Sequence, residues 1–197
     1  MKLIDAKKDQ YRKLAHEQGY RSRAAYKLKE INKSYRIIGP GFYVLDLGCA
    51  PGGWTQVAQQ ISGNQGKVLG IDTSFVEEIP NAKFIQGNID DSNILDQVID
   101  YFGKKVDSVI CDLSPNVSGN WSVDHATQIS LNYSAVKLMD KVLERKGNAL
   151  FKVFDGEYSG EFFDFMKKKF IKTKRTKPLA SRKPSSELYC TCLGYSN

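Results

Sequence analysis

The stretch Val44-Leu45-Asp46-Leu47-Gly48-Cys49-Ala50-Pro51-Gly52-Gly53-Trp54 passes from an apolar, buried-strand pattern into a turn poor in side chains and then into a helix. Gly48, Gly52 and Gly53 have no β-carbon, so backbone there can approach a ligand closely, and Gly53-Trp54-Thr55 opens the helix with free N–H groups. Strand, turn and helix in this order make a nucleotide-type site. The spacing is not the dinucleotide fingerprint G-x-G-x-x-G, because Cys49, Ala50 and Pro51 separate Gly48 from the glycine pair.

Asp46 precedes the turn, and Asp72 closes the next apolar run, Val68-Leu69-Gly70-Ile71-Asp72. Two acids suit a ligand with a ribose and a cation better than one with phosphates, and S-adenosylmethionine has both. An ordinary βα turn packed with core Leu and Val is the competing reading of the turn taken alone. Further strand patterns lie over 67–71, 83–86, 106–111, 149–154, 170–174 and 188–193, with helical patterns over 54–61, 93–102, 124–143 and 160–169 between most of them. The alternation predicts an α/β, doubly wound sheet of about seven strands, mostly parallel, with helices on both faces. The last strand is expected to return antiparallel, since no helix separates it from the sixth.

The 197 residues are read as one domain, with basic N-terminal helices over 1–36 and a catalytic core over 42–197. The first helix is expected over 9–18, where Tyr11, Leu14 and Ala15 share a face. In the second, with Ser22 as N-cap, Ala25, Leu28 and Ile31 form the apolar stripe and Lys27 lies beside it. No run of membrane-span length and no signal pattern at Met1-Lys2-Leu3-Ile4-Asp5 occur, so a cytoplasmic chain without membrane contact is expected. Cys49, Cys111, Cys190 and Cys192 lack metal-ligand spacing. Cys190 and Cys192 are expected to face apart on their strand, only His16 and His125 could assist, and no metal site is expected.

The net charge of +7 is unevenly placed. Residues 1–36 hold eleven Lys and Arg against four acids, and residues 167–183 hold nine against none. The centre, 37–166, holds nine against seventeen. If the fold brings both ends to one face, they form a phosphate-binding surface whose affinity falls with salt.

Ligands in such sheets bind beyond the C-terminal strand ends. That location gathers Asp46, Asp72, Asn88 of Gln86-Gly87-Asn88, and Asp112 of Cys111-Asp112-Leu113-Ser114-Pro115-Asn116. Lys152, inside the apolar run Leu150-Phe151-Lys152-Val153-Phe154, must find an acidic partner or lose its proton. A structural ion pair would satisfy it equally well.

These residues resemble the FtsJ/RrmJ family of ribose 2′-O-methyltransferases over nearly the whole chain. Five ordered blocks carry the likeness: 19–28, the turn from Asp46 to Trp54, 112–119, Lys152-Val153-Phe154-Asp155-Gly156, and 181–189. The resemblance implies the family's catalytic Lys-Asp-Lys-Glu set at Lys27, Asp112, Lys152 and Glu187. It also implies S-adenosylmethionine as methyl donor, with Gly52 and Trp54 at the methionine end, Asp72 on the ribose hydroxyls and Asp112 near the sulfonium. Family members usually have Asp where this chain has Asn88, whose amide oxygen can still accept from an exocyclic amine.

In that scheme Lys152, neutral through burial and the like charge of Lys27, takes the proton of the ribose hydroxyl, while Asp112 and Glu187 orient the groups. The RNA would be held by Arg21, Arg23, Lys174, Arg175 and Arg182. The substrate implied is RNA, a uridine of 23S ribosomal RNA, with tRNA second, and the chain is expected to act as a monomer. Base methylation is disfavoured because Asp112-Leu113-Ser114-Pro115-Asn116 has one proline and no aromatic residue. A non-catalytic RNA-binding assembly factor is the alternative outside the enzymes.

Overall fold

The computed structural model describes residues 3–181 and 185–196, with side chains from Gln10 onward. Strands β1 (Tyr43–Leu47), β2 (Lys67–Asp72), β3 (Ala82–Gln86), β4 (Val106–Cys111) and β5 (Leu143–Phe154) pair in parallel. With β6 (Phe170–Thr176) and β7 (Glu187–Tyr195) they make one seven-stranded sheet in the order β3-β2-β1-β4-β5-β7-β6. β7 runs antiparallel to both β5 and β6, as a strand reached without a crossover helix must.

Helices cover both faces because each buried strand alternates its side chains between them. On one face α2 (Ala24–Tyr35) and α3 (Gly53–Ser62) bring Ala25, Leu28, Ile31, Trp54 and Val57 onto Val44, Val68, Ile110, Leu150 and Tyr189. On the other, α4 (Ile94–Phe102), α5 (Trp121–Val142) and α6 (Ser159–Lys167) pack Val98, Val136, Met139, Phe162 and Met166 onto Leu45, Leu69, Val109, Phe151 and Val153. α1 (Leu3–Glu17) precedes α2. Among the described residues no helix is long and apolar enough to cross a membrane.

The element boundaries shift where tertiary contacts override the local pattern. α1 starts at Leu3, six residues before the expected start at 9, and β5 starts at Leu143 instead of 149. The early part of β5 pairs Val106 with Leu143, then jumps in register to Ser108 with Asn148, with Lys146 at φ 68° in the irregular stretch. Ser22 does not cap α2 with its side chain. Arg23 occupies the N-cap without a side-chain hydrogen bond, and the Ser22 hydroxyl packs instead against Gly53, where a β-carbon would collide with it.

A second correction concerns the cysteines. Cys190 and Cys192 share a face of β7, their sulfurs 3.5 Å apart, because side chains two residues apart on a strand point the same way. All four thiols are buried and free.

The site is located by the point where strand order reverses. β1 leads outward to β2 on one side, whereas its other neighbour β4 leads to β5, so the loops after β1 and β4 part company over a crevice. Gly48 lies in that crevice with φ 75°, and a β-carbon there would stand 2.8 Å from the backbone nitrogen of Leu113. Only glycine meets both the left-handed backbone and the contact between the two loops.

Candidate active site

Ile110, Leu150 and Tyr189 lie in the core beneath α2 and α3. Two residues further toward the crevice end, period-two alternation puts Asp112, Lys152 and, on antiparallel β7, Glu187 on the same face. α2 adds Lys27 from the border of its apolar stripe, only 5 % exposed. The Lys27 ammonium donates to Glu187 Oε2 at 2.5 Å, and Lys152 Nζ donates to the backbone oxygen of Asp112 at 2.8 Å. Lys152 Nζ is also 3.2 Å from Asp112 Oδ1, within ion-pair range but off the hydrogen-bond direction, so Oδ1 has no hydrogen-bond partner. The four residues expected from the sequence are therefore brought together as two ion pairs close enough for each to feel the other's charge.

β5 outruns β4, so Lys152, paired with Tyr189 of β7 on one side, has no strand partner on the β4 side. Two buried amides of α5 take its place. Gln128 Nε2 and Asn132 Nδ2 donate to the Lys152 carbonyl at 2.7 and 2.8 Å, and Gln128 Oε1 accepts from the N–H of Phe154 at 3.1 Å. This support holds the lysine backbone from behind the sheet. Neither amide was expected, because an isolated Gln and Asn on a helix carry no pattern. Tyr189 was not expected either; it is fully buried beside Lys27 at 5.7 Å, with a hydroxyl that has no hydrogen-bond partner.

The electrostatics follow from burial. Burial pushes the Asp112 carboxyl up, against the pull of the Lys152 and Lys27 charges. At Glu187 burial acts in the same upward direction, but the Lys27 ammonium, with Lys152 and further hydrogen bonds, outweighs it and holds the group below the usual carboxylate range. Asp46, fully buried under the turn, is pushed up to about 7 by burial even though the Thr55 hydroxyl donates to it at 2.6 Å.

Beside the tetrad lies a cavity of about 320 Å³ that opens between the loops after β1, β2, β3 and β4. Its wall includes Gly48, Ala50, Asp72, Asn88 and Asp112, carries two carboxylates and contains no Lys or Arg. Asp72 accepts from the N–H of Ala50 at 2.9 Å and of Ser74 at 2.8 Å, tying the β1 turn to the end of β2. Asn88 is exposed, and its Oδ1 accepts from the N–H of Asp90 at 3.1 Å. Ser74 and Leu131, the latter from α5, also line the cavity and had no signal in the local sequence.

Gly52 and Trp54 are not in this wall. A β-carbon on Gly52 would stand 2.9 Å from Ile79 Cδ1 and 3.0 Å from Arg21 Nη1, so this glycine faces the N-terminal segment. Trp54 is buried against α2: its Nε1–H donates to the Ala24 carbonyl at 2.9 Å and its ring lies 5.9 Å from that of Tyr189. An indole can enter a core only when its N–H finds an acceptor, and α2 supplies one.

The residues expected to hold RNA divide. Arg21 is committed to the protein: it donates to the carbonyls of Pro51, Glu77 and Glu78 at 3.2, 2.7 and 2.8 Å, bracing the turn and the 77–78 loop. Arg23 stands half-buried at the start of α2. Lys174 and Arg175 are exposed on β6 but fall on opposite faces, Lys174 in register with Thr191 and Arg175 over the Phe163 ring at 4.4 Å. Arg182 lies outside the described residues. The two basic ends do meet, because the Glu30 carboxylate on α2 accepts from the N–H groups of Leu179 and Ala180 at 2.8 and 3.3 Å.

Two outcomes test this geometry. Arg21→Ala should lower stability by about 1–3 kcal/mol in urea melts, because three carbonyls would no longer meet a charged donor, without altering the salt dependence of RNA binding. Asp46 binds its proton more tightly folded than unfolded, so its contribution is greatest below pH 4 and is lost as pH rises toward 7, by about 4 kcal/mol at most. Asp46→Asn should remove this decline, which urea melts of both proteins at pH 4.5 and 8 would measure; parallel pH profiles would contradict it.

Comparison with known proteins agrees with this arrangement. Residues 20–195 match the sequence profile described as FtsJ-like methyltransferase. The ribosomal RNA large subunit methyltransferase E of Nitrosopumilus maritimus is 72 % identical over 195 residues, covering 99 % of each chain, and that of Cenarchaeum symbiosum is 63 % identical with the same coverage. A crystal structure of a ribosomal RNA methyltransferase from Plasmodium falciparum superposes with a TM-score of 0.81 at 31 % identity, over 89 % of this chain and 98 % of that one. A glycine-rich strand-turn-helix, a doubly wound sheet and a lysine-centred cluster at its crevice thus accompany a match over most of the length, and the chain belongs to the FtsJ-like methyltransferase family.

Proposed function

We propose that the chain transfers a methyl group from S-adenosylmethionine to a ribose 2′-hydroxyl of RNA, with a uridine of large-subunit (23S) ribosomal RNA as the target. The observation that carries this reading is the Lys152 amine, buried at the crevice end of β5, bonded to Asp112 and bordering the cavity through it. The relatives' names, ribosomal RNA large subunit methyltransferase E, support the choice of RNA.

The cavity fits the methyl donor on its own chemistry. A wall with Asp72 and Asp112 and no basic side chain repels phosphates and suits a cationic ligand with ribose hydroxyls, while Gly48 lets the β1 turn close against Leu113 at the edge of the cavity. S-adenosylmethionine supplies a methyl group already activated by its sulfonium. Asp72 would accept from the ribose hydroxyls, Asp112 would face the sulfonium side, and the Asn88 oxygen would offer its second lone pair to the exocyclic amine. Gly52 and Trp54 would act from one layer behind, by setting the course of the turn.

A ribose hydroxyl attacks poorly while protonated, so a base must remove its proton as the new O–C bond forms. Lys152 Nζ takes this proton when neutral, and the adjoining Asp112 oxygens fix its direction. The Lys27–Glu187 pair places a second cation beside the amine without leaving that cation unpaired. Most of the acceleration comes from holding hydroxyl, methyl carbon and leaving group in line. The 42–197 core would do this chemistry, and the basic ends joined through Glu30 would hold the RNA backbone.

Lys152→Met should abolish transfer of labelled methyl groups to RNA while leaving the calorimetric dissociation constant for S-adenosylmethionine within about threefold. Wild-type product should resist alkaline cleavage beside the modified nucleotide, and assembled large subunits, free ribosomal RNA and tRNA, assayed in parallel, should show the first two as acceptors. A base-labile product, or methylation of tRNA alone, would displace the proposal. Lys172→Glu with Lys174→Glu should weaken RNA binding and flatten its salt slope by roughly one for each phosphate no longer neutralised; an unchanged slope in filter binding would remove β6 from the RNA face.

A further inference from the structure

Four aromatic rings stand in near-parallel succession next to the catalytic cluster, and neither the cavity nor the tetrad uses them. Phe154 follows Lys152 by two residues on β5, and Lys152 Nζ is 6.0 Å from its ring centre. Trp121, the first residue of α5, lies 5.6 Å from Phe154 at an interplanar angle of 27°, then 6.0 Å from His125 at 18°. His125 lies 5.6 Å from Tyr158 at 5°. We propose that this row, with Trp121 as its contact face, is a stacking platform for a nucleobase of the RNA next to the ribose being methylated. The proposal rests on the function proposed above and adds to it the site that grips the base.

The surface is built to keep the rings in place and partly bare. His125 is buried, and its Nε2 accepts from the N–H of Tyr158 at 3.0 Å, while Gly156 passes so close to its ring that a β-carbon there would stand 2.9 Å from Nε2. The loop leading to Trp121 is pinned by Asp124, whose Oδ1 accepts from the N–H and hydroxyl of Ser118 at 2.8 and 2.7 Å, and by the Asn120 cap on Ser122 and Val123. Despite this framework Trp121 remains 47 % exposed and Tyr158 43 % exposed, and ring centres 5.6–6.0 Å apart mean that neighbouring rings are offset and overlap only in part. Rigid aromatic surface left in water beside a reaction centre loses little entropy on binding and gains a flat partner.

Position and charge together select the partner. A base is tied to its ribose, so a hydroxyl held at Lys152 brings its own base or its neighbour's within reach of rings one and two steps of about 6 Å away. The nearby Asp155 and Glu157 are exposed and acidic, which disfavours phosphate on this side and leaves the uncharged base as the group that fits. Base stacking is tolerant of sequence, so the platform contributes grip and orientation, while the basic ends contribute the salt-dependent share.

The full-length protein tests this with Trp121→Ala and Trp121→Phe, using oligouridylate and free ribosomal RNA as probes. Trp121→Ala should raise KM for RNA roughly tenfold, leave binding of S-adenosylmethionine and the salt slope of RNA binding unchanged, and Trp121→Phe should recover most of the loss. Trp121 is the exposed one of two tryptophans, so oligouridylate should quench the wild-type fluorescence and fail to quench that of Trp121→Phe. An unchanged KM together with unquenched wild-type fluorescence would overturn the platform, as would quenching by assembled subunits alone, which would mark a protein-docking patch. A wild-type protein that binds and quenches with RNA but transfers no methyl would count against the function and leave the platform standing.

Discussion

A potentially charged amine sits inside a strand that is otherwise apolar, and the surrounding structure is arranged to accommodate it. Lys152 is 5 % exposed, and an isolated ammonium there would be prohibitively costly. The cost is offset by a carbonyl and a carboxylate of one residue, Asp112, which stands beside it because β4 and β5 are parallel neighbours in matched register. A second cation, Lys27, is tolerated nearby because Glu187 meets it directly. Remove any member and the remaining charges are left buried without compensation, so the four act as one unit and single substitutions there should not add.

The sheet topology explains why such a cluster and a cavity coincide. Reversal of strand order between β1 and β4 opens a crevice, and the residue leaving β4 belongs to both sides of it: Asp112 lines the cavity and holds the lysine. In the proposed reaction this double position would link donor binding to acceptor activation through one side chain. The amides of α5 complete the coupling, since Gln128 and Asn132 bear on the lysine backbone from the opposite face of the sheet. α5 also starts with Trp121, so one helix supports the Lys152 backbone and carries two of the four stacked rings.

Electrostatic roles separate along the molecule. The cavity wall is acidic, the two chain ends are basic, and the aromatic row between strand end and α5 is bordered by carboxylates. Arg21 illustrates how net charge alone misleads. It belongs to the basic N-terminal segment, yet its guanidinium is occupied by three carbonyls that shape the ligand turn. Arginine's fixed fork of donors makes it as useful for tying loops as for holding phosphates.

The sequence by itself determined the alternating α/β order and the glycine-rich turn, because strand and helix periodicities and short ordered motifs are local properties of the chain, and the family resemblance singled out the four residues that the fold brings together. It could not decide that Arg21 is occupied by three carbonyls, that Trp54 turns into the core, or that Cys190 and Cys192 meet on one face. Nor could it find the contacts of Gln128 and Asn132 with Lys152 or the aromatic row, because they join α5 to the end of β5 and the segment after it, which are distant in sequence and meet only in the fold. Those outcomes rest on which hydrogen-bond partners and packing surfaces come within reach once the strands are in register, and only the tertiary structure supplies that.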